Sequence, residues 1–182
     1  MGSEDRHPAR EQAEGSAVVD GILEDWRRER PDLDLSAVAV LGRLSFLAEN
    51  VIGPAGERAV KRHGIARGEF DVLATLRRVG APYTLSPSAL SAELMMSRAG
   101  MTKRLDRLEN AGLVARSLDA DDRRSFRIAL TDKGRQVVDA ALTDLAAALG
   151  ELAAELTAEE RDALDGVLRT LLRRVGANAG RT

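Results

Sequence analysis

The chain contains no cysteine, and only 3% of its 182 residues are aromatic. The lack of cysteine excludes disulfides, thiolate metal ligands and thiol-based redox sensing by the protein itself. The scarcity of aromatic residues, beside abundant Ala and Leu, favours helices over sheets. No apolar run approaches the roughly 20 residues that span a bilayer, and the charged N-terminus lacks the apolar core of a signal peptide. We therefore expect a mainly α-helical, soluble, cytoplasmic protein without a membrane segment.

The sequence also has a small net charge, −2 at pH 7, and few residues that support catalysis or metal binding. Its two histidines, His7 and His63, have no metal partner or nucleophile at motif spacing and are expected on the surface. Neither a GxGxxG motif nor a phosphate-binding loop with its lysine is present. We therefore expect that the protein is not an enzyme and that it binds neither a metal nor a cofactor. Residues 97–127, however, hold eight Arg and Lys against five Asp and Glu, a local charge of +3.

The N-terminal third has two regions of different character. Residues 1–15 are polar and without periodicity, which predicts a disordered tail. In residues 16–64, Ser16 caps a helix that Pro31 ends, and a second helix runs from Ser36 with a kink at Gly53–Pro54. We interpret these as an additional helix followed by a dimerisation or scaffold helix that stops at Gly64.

Residues 65–131 change to short helices with tight connections. Ser86–Pro87 is a cap followed by a proline at the first helical position. After a break at Met95–Met96, Ser97 caps a helix that ends at Gly112. Two short helices joined by a tight turn are typical of the helix-turn-helix motif.

Two candidate strands, 113–118 and 125–130, flank a charged segment and predict a β-hairpin, the wing. In residues 132–176, after the cap Thr131, leucines recur at alternating spacings of four and three, as in a coiled-coil seam. Thr157 with Glu160 forms a capping box for the last helix. The predicted fold is a mainly α winged helix-turn-helix with a two-stranded β-wing and a helical dimerisation lobe, which makes the protein a homodimer.

The helix that follows Ser97 presents basic and polar side chains away from its apolar stripe, and these suit phosphate binding and base reading. Arginines at the hairpin tip suit the narrow minor groove of double-stranded DNA. The alternative is an ordinary solvated helix face, but the neighbouring short helix and hairpin supply a docking context. The predicted DNA-binding residues are Ser97, Arg98, Thr102, Lys103, Arg107, Arg123 and Arg124.

Arg104 lies on the inward shoulder of the same helix, three residues after Met101 and four before Leu108. An arginine that faces the protein interior needs an anionic partner. That partner is either a carboxylate of the fold, such as Asp71 or Asp106, or a bound ligand. The residues alone leave both open.

Two stretches of the chain resemble the MarR family of winged-helix regulators. Residues 121–134 resemble the family's wing and wing-to-helix signature, and residues 105–114 resemble the end of its recognition helix. The resemblance extends over about residues 16–175. It implies a two-fold dimer that places two recognition helices in successive major grooves of a pseudo-palindromic operator.

A narrower resemblance is to the urate-responsive branch, the HucR/PecS-like regulators, which carry an additional N-terminal helix with a tryptophan. The branch's ligand residues match Trp26, Asp71, Arg104 and Arg116. The resemblance implies a repressor that a small anionic aromatic ligand such as urate releases from DNA. The alternatives are a phenolic or aromatic acid as effector, a DNA-binding protein without an effector, and a small enzyme or carrier that uses the same pocket.

Two positions depart from the family pattern. Ala89 stands where many relatives have an acidic residue that completes a helix cap, and Asp121 stands where a wing arginine is common. The first departure predicts a weaker cap, and the second predicts a lower affinity for DNA.

Overall fold

The structure is a computed structural model that describes residues 8–119 and 125–179. The chain divides after Ala55 into two compact units, which are described separately. This division lies inside a helix, Gly53–Lys61. The first unit contains two α-helices, α1 (Pro8–Glu29) and α2 (Ser36–Leu47), and a π-helical segment, Ala48–Ile52.

The second unit contains the short helices, the strands and the two long C-terminal helices. Its elements are α3 (Gly53–Lys61, which begins in the first unit), α4 (Arg67–Arg78), β1 (Thr84–Leu85), α5 (Pro87–Glu93), α6 (Arg98–Asn110), β2 (Val114–Leu118), β3 (Phe126–Leu130), α7 (Asp132–Ala153) and α8 (Ala158–Ala179). This order reproduces the predicted helix-turn-helix, hairpin and C-terminal helix pair.

Helix α1 begins at Pro8, earlier than the predicted cap at Ser16. Proline is well placed at the start of a helix, and the Ala, Glu, Gln and Arg residues that follow have high helix propensity. The predicted tail of residues 1–15 is therefore too long, and residues 1–7 lie outside the described part. Helix α1 packs on α2, with Leu23 and Ala39 buried and an ion pair between Arg43 and Asp20.

The second predicted helix is interrupted where the Gly53–Pro54 pair occurs. The interruption is the π-helical segment Ala48–Ile52, in which the backbone N–H of Gly53 bonds to the carbonyl of Ala48. Pro54 has no N–H, so the regular hydrogen-bond ladder cannot continue through it. The sequence predicted an interruption here but not its π-helical form.

The continuous helical stretch Ser36–Lys61 meets the length and composition criteria of a membrane span, with a mean hydropathy of 1.3. No other helix in the described ranges does so. Helices of soluble proteins meet the same criteria, and this stretch includes the charged residues Arg43 and Glu49.

The hydrophobic core of the second unit lies between α4, α5, α6, α7 and β3. Its largest fully buried side chains come from the five helices α3 to α7 and from the wing strand β3: Val60, Val72, Leu73, Leu76, Leu90, Met101, Leu105, Leu108, Ile128 and Val138. Each such side chain contributes roughly 1.5–3 kcal/mol through burial. This core fixes which face of α6 points inward.

The predicted wing strands are confirmed as an antiparallel pair in which Arg116 lies opposite Ile128. The sheet has a third strand, β1, which pairs with β3 to give the order β1-β3-β2. The sequence analysis did not predict β1, because this strand contains only Thr84–Leu85 and is too short to show a period of two. Residues 120–124 between β2 and β3 lie outside the described ranges.

Four predicted helix caps are confirmed. The side-chain oxygens of Ser86, Ser97, Thr131 and Thr157 accept from the backbone N–H three residues on, at 2.9–3.2 Å. Each cap satisfies a backbone donor that the helix itself leaves free. The glycines predicted to end helices, Gly64 and Gly112, have φ of 72° and 69°.

Candidate nucleic-acid interface

Helix α6 has one buried face and one exposed face. Met101, Leu105 and Leu108 are at most 2% exposed and hold the helix against the core. The hydroxyl of Ser97 accepts from the N–H of Gly100 at 3.2 Å and fixes where the helix begins. The polar side of α6 is thereby presented to solvent as a rigid surface.

Three predicted DNA-binding residues of α6, namely Arg98, Thr102 and Lys103, lie on its exposed side. The hydroxyl of Thr102 donates to the carbonyl of Arg98 at 3.0 Å, which leaves its oxygen free to accept. Within the described ranges, no carboxylate lies within ion-pair distance of Arg98 or Lys103. Two uncompensated cations next to a hydroxyl suit contact with phosphates and base edges.

Arg107 is exposed but partly compensated. Its Nε lies 3.6 Å from Oε1 of Glu69, a distance too long for a hydrogen bond. The other oxygen of Glu69 accepts from the backbone N–H of Ala66 at 2.9 Å and caps α4. Since alanine has no side-chain oxygen, only this half of a capping box forms. The Glu69 carboxylate therefore partly neutralises the charge of Arg107, whereas Arg98 and Lys103 have no such neighbour in the described ranges.

The predicted tip arginines of the wing, Arg123 and Arg124, lie outside the described residues, as does Asp121. At the loop end of the hairpin, Nε of Arg127 donates to Oδ2 of Asp119 at 2.7 Å. This charge-assisted hydrogen bond links the ends of the two wing strands.

Arg116 of β2 contacts α6 through two carboxylates. Its Nη2 donates to Oδ1 of Asp106, and its Nε lies 3.0 Å from Oε2 of Glu109. The Nε contact has the distance of an ion pair but not the alignment of a hydrogen bond, so this buried N–H has no hydrogen-bond partner. The two ion pairs connect the first wing strand to the recognition helix.

Arg104 is half-buried, and its Nη1 donates to the backbone carbonyl of Gly68 at 3.1 Å. The carboxylates considered from the sequence are engaged elsewhere, since Asp106 pairs with Arg116 and Asp71 pairs with Arg67 at 3.2 Å. An internal ion pair of Arg104 with either carboxylate is therefore excluded in this conformation. The guanidinium instead lies over the first turn of α4, where the helix dipole is positive.

The other predicted ligand residues occupy different surroundings. Trp26 is on α1 of the first unit and is 53% exposed. In the second unit, Asp71 is on α4, one turn after the glycine that Arg104 contacts. Arg104 thus contacts the first turn of α4 and Asp71 lies one turn further along that helix, whereas Arg116 is held by α6.

An open cleft of about 400 Å³ adjoins the start of α4. It is lined by Glu57, Lys61, Gly64, Ile65 and Ala66. Its volume is within the range of small-molecule sites. The sequence pattern did not indicate this cleft, because it forms where α3 turns into α4.

His63 lies in the turn after α3 and is less exposed than predicted. Its Nε2 is 2.9 Å from Oδ2 of Asp144 on α7, and 23% of its side chain is accessible. His7 lies outside the described residues. The contact of His63 therefore joins α7 to the end of α3.

The sequence is similar to those of known transcriptional regulators. Residues 63–125 match the MarR family. Over 121 residues the chain is 44% identical to the HTH-type transcriptional regulator PecS of Dickeya dadantii, covering 66% of this chain and 72% of that protein. It is 30% identical over 136 residues to the transcriptional repressor MprA of Escherichia coli, covering 75% and 77%.

The fold is also that of a solved regulator. A mutant of E. coli MarR, crystallised with operator DNA, superposes with a TM-score of 0.64 at 24% identity, covering 76% of this chain and 97% of that one. The relatives of this chain are regulators of transcription and not enzymes, as expected from the lack of catalytic motifs in its sequence. The chain belongs to the MarR family of transcriptional regulators, in its PecS-like branch.

Proposed function

We propose that the protein is a homodimeric repressor that binds a pseudo-palindromic operator through α6 and the wing, and that a small anionic aromatic ligand such as urate releases it. The proposed response to a ligand rests on one observation. Arg104 is a half-buried cation on the recognition helix, and its only hydrogen-bond partner among the described residues is a backbone carbonyl. We propose repression and not activation because the E. coli relative MprA is named a transcriptional repressor.

Operator binding is supported by the exposed side of α6. Arg98 and Lys103 are cations without carboxylate partners among the described residues, and Thr102 lies between them in sequence. A related fold is known in complex with operator DNA. In a helix-turn-helix dimer, two such helices enter major grooves one helical turn apart.

Dimer formation is supported by apolar side chains that each unit leaves in solvent. On α8, Val167, Leu171, Leu172 and Val175 are 40–73% exposed, and α8 has no buried residue in its described part. In the first unit, Val38, Val40 and Leu41 of α2 are more than half exposed. Apolar helix faces of this extent are typical of surfaces that a second copy covers.

Leu172→Asp is expected to raise the dimer dissociation constant at least about 100-fold, because two-fold symmetry places the buried carboxylate in the interface twice. Sedimentation equilibrium measures the change. Glu159→Ala, at an exposed polar site on the same helix, is the control and should leave the dimer unchanged. A Leu172→Asp protein that dimerises like the wild type would place the interface elsewhere.

An anionic effector is supported by the charges around the start of α4. Arg104 brings a positive group to the N-terminal end of a helix, where the backbone itself favours an anion. A ligand anion offers the guanidinium a stronger acceptor than the carbonyl of Gly68. Because Arg104 is a residue of α6, a ligand bound to its guanidinium acts directly on the recognition helix.

The test is a gel shift on the promoter region beside the protein's own gene, at fixed salt, with and without urate. We expect urate to release the wild type and to have no effect on Arg104→Ala, although this variant also binds DNA more weakly. Full urate-induced release of Arg104→Ala would contradict the assignment.

The alternatives give different outcomes in the same assay. A shift that responds to a phenolic acid but not to urate keeps the regulator and changes the effector. A gel shift that neither urate nor a phenolic acid changes indicates an effector-independent DNA-binding protein. No specific shift at any salt would remove the DNA-binding proposal and favour a carrier of aromatic anions.

A further inference from the structure

Gly68 is the second residue of α4, a position at which glycine costs helix stability. A Cβ atom built there would lie 2.3 Å from Cζ and Nη1 of Arg104 and 2.6 Å from Nη2. All three atoms belong to the guanidinium, so this planar group packs directly against the glycine. We propose that Gly68 is a positioning residue for Arg104: its missing side chain leaves the space in which the guanidinium lies.

The kind of atom that a Cβ would meet determines what a substitution does. At Gly68 the obstructing atoms are at the end of a flexible side chain, and no backbone atom is among them. A side chain at position 68 therefore turns the guanidinium away and breaks its bond to the Gly68 carbonyl, while α4 and α6 keep their places. The change affects one functional group without unfolding the protein.

The consequence for regulation rests on the proposed function. If Arg104 is the cation that receives the effector, Gly68 determines where that cation is held before the effector arrives. Every larger residue at position 68 then lowers the affinity of the protein for its effector, even though position 68 does not contact DNA. Gly68 would be a determinant of the response that is separate from the DNA-reading residues Arg98 and Lys103.

A thermal double-mutant cycle tests the contact without any ligand. The proteins are wild type, Gly68→Ala, Arg104→Met and the double variant; methionine keeps the apolar stem and removes the guanidinium. Without the guanidinium, Gly68→Ala should raise Tm by about 1–3 °C, as glycine-to-alanine changes in helices do. With Arg104 present, the same substitution should leave Tm unchanged or lower it. Equal shifts in both backgrounds would overturn the proposal.

Gly150→Ala is the matched control, since a Cβ at this position of α7 meets nothing within 4 Å. Its Tm shift should be the same with Arg104 as with Met at position 104. A difference as large as that of Gly68→Ala would show that the cycle reports on something other than the contact, and the proposal would fall.

Titration with urate, followed by the fluorescence of the single tryptophan, separates this proposal from the proposed function. If the wild type binds, Gly68→Ala should lose at least about tenfold in affinity and keep its operator affinity; unchanged urate affinity would overturn the positioning role. If the wild type does not bind urate or a phenolic acid, the effector assignment fails, and the thermal cycle still decides on the contact.

Discussion

Replacing Gly134 with alanine is expected to lower the free energy of unfolding by about 3 kcal/mol. A Cβ atom there would lie 2.0 Å from the carbonyl oxygen of Leu113 and 3.0 Å from Cδ1 of Leu130. The carbonyl cannot move aside freely, because it accepts from the backbone N–H of Thr131 at 3.1 Å. Either the first turn of α7 or the chain entering β2 must shift.

Thermal unfolding measures this loss, which corresponds to a fall in Tm of roughly 6–12 °C for a protein of this size. Gly150→Ala in the same helix is the control, because a Cβ there has no neighbour within 4 Å. It should raise the unfolding free energy by about 0.4–1 kcal/mol. If Gly134→Ala melted as high as this control, α7 would not pack against Leu113 as closely as the structure has it.

Arg98→Ala and Lys103→Ala should each weaken operator binding on the order of 50-fold at roughly 0.1 M salt. Each phosphate contact contributes about 0.9 to the slope of log K against log salt, and a dimer loses two contacts per substitution. Neither side chain has a carboxylate partner in the described ranges, so its removal leaves no unpaired charge in the fold. The loss should therefore be one of binding and not of stability.

A salt series with fluorescently labelled operator DNA measures this slope for each variant. Arg169→Ala is the control, since Arg169 is an exposed α8 residue paired with Asp165 and its loss changes the net charge equally. Its slope should match that of the wild type. If all three variants lost affinity to the same extent, net charge alone would explain the result, and α6 would not be the DNA-contacting surface.

Much of the fold was predictable because its signals are local. The caps Ser86, Ser97 and Thr131 act on backbone groups three residues away, and Gly112 ends a helix through its own backbone conformation. Hydrophobic spacing likewise reports which face of a helix is buried. Such features need no knowledge of the rest of the chain.

The candidate site was only partly predictable because its contacts are not local. The sequence placed Arg104 on the inward side of α6, but its partner is a carbonyl 36 positions earlier. The carboxylates offered as partners are taken by Arg67 and Arg116. Backbone carbonyls occur at every residue and leave no mark on composition or spacing, so no sequence pattern singles out Gly68.

The ion pairs of Arg116 with Asp106 and Glu109 join residues that are close along the chain as well as in space. The ion pairs that hold the recognition helix against the first wing strand therefore lie within one short segment of the chain. A segment of this kind can be exchanged between related regulators as a unit, and the recipient inherits a new DNA-reading helix with its strand already aligned. Exchanging α6 alone would instead remove Asp106 and Glu109, and with them both ion pairs of Arg116.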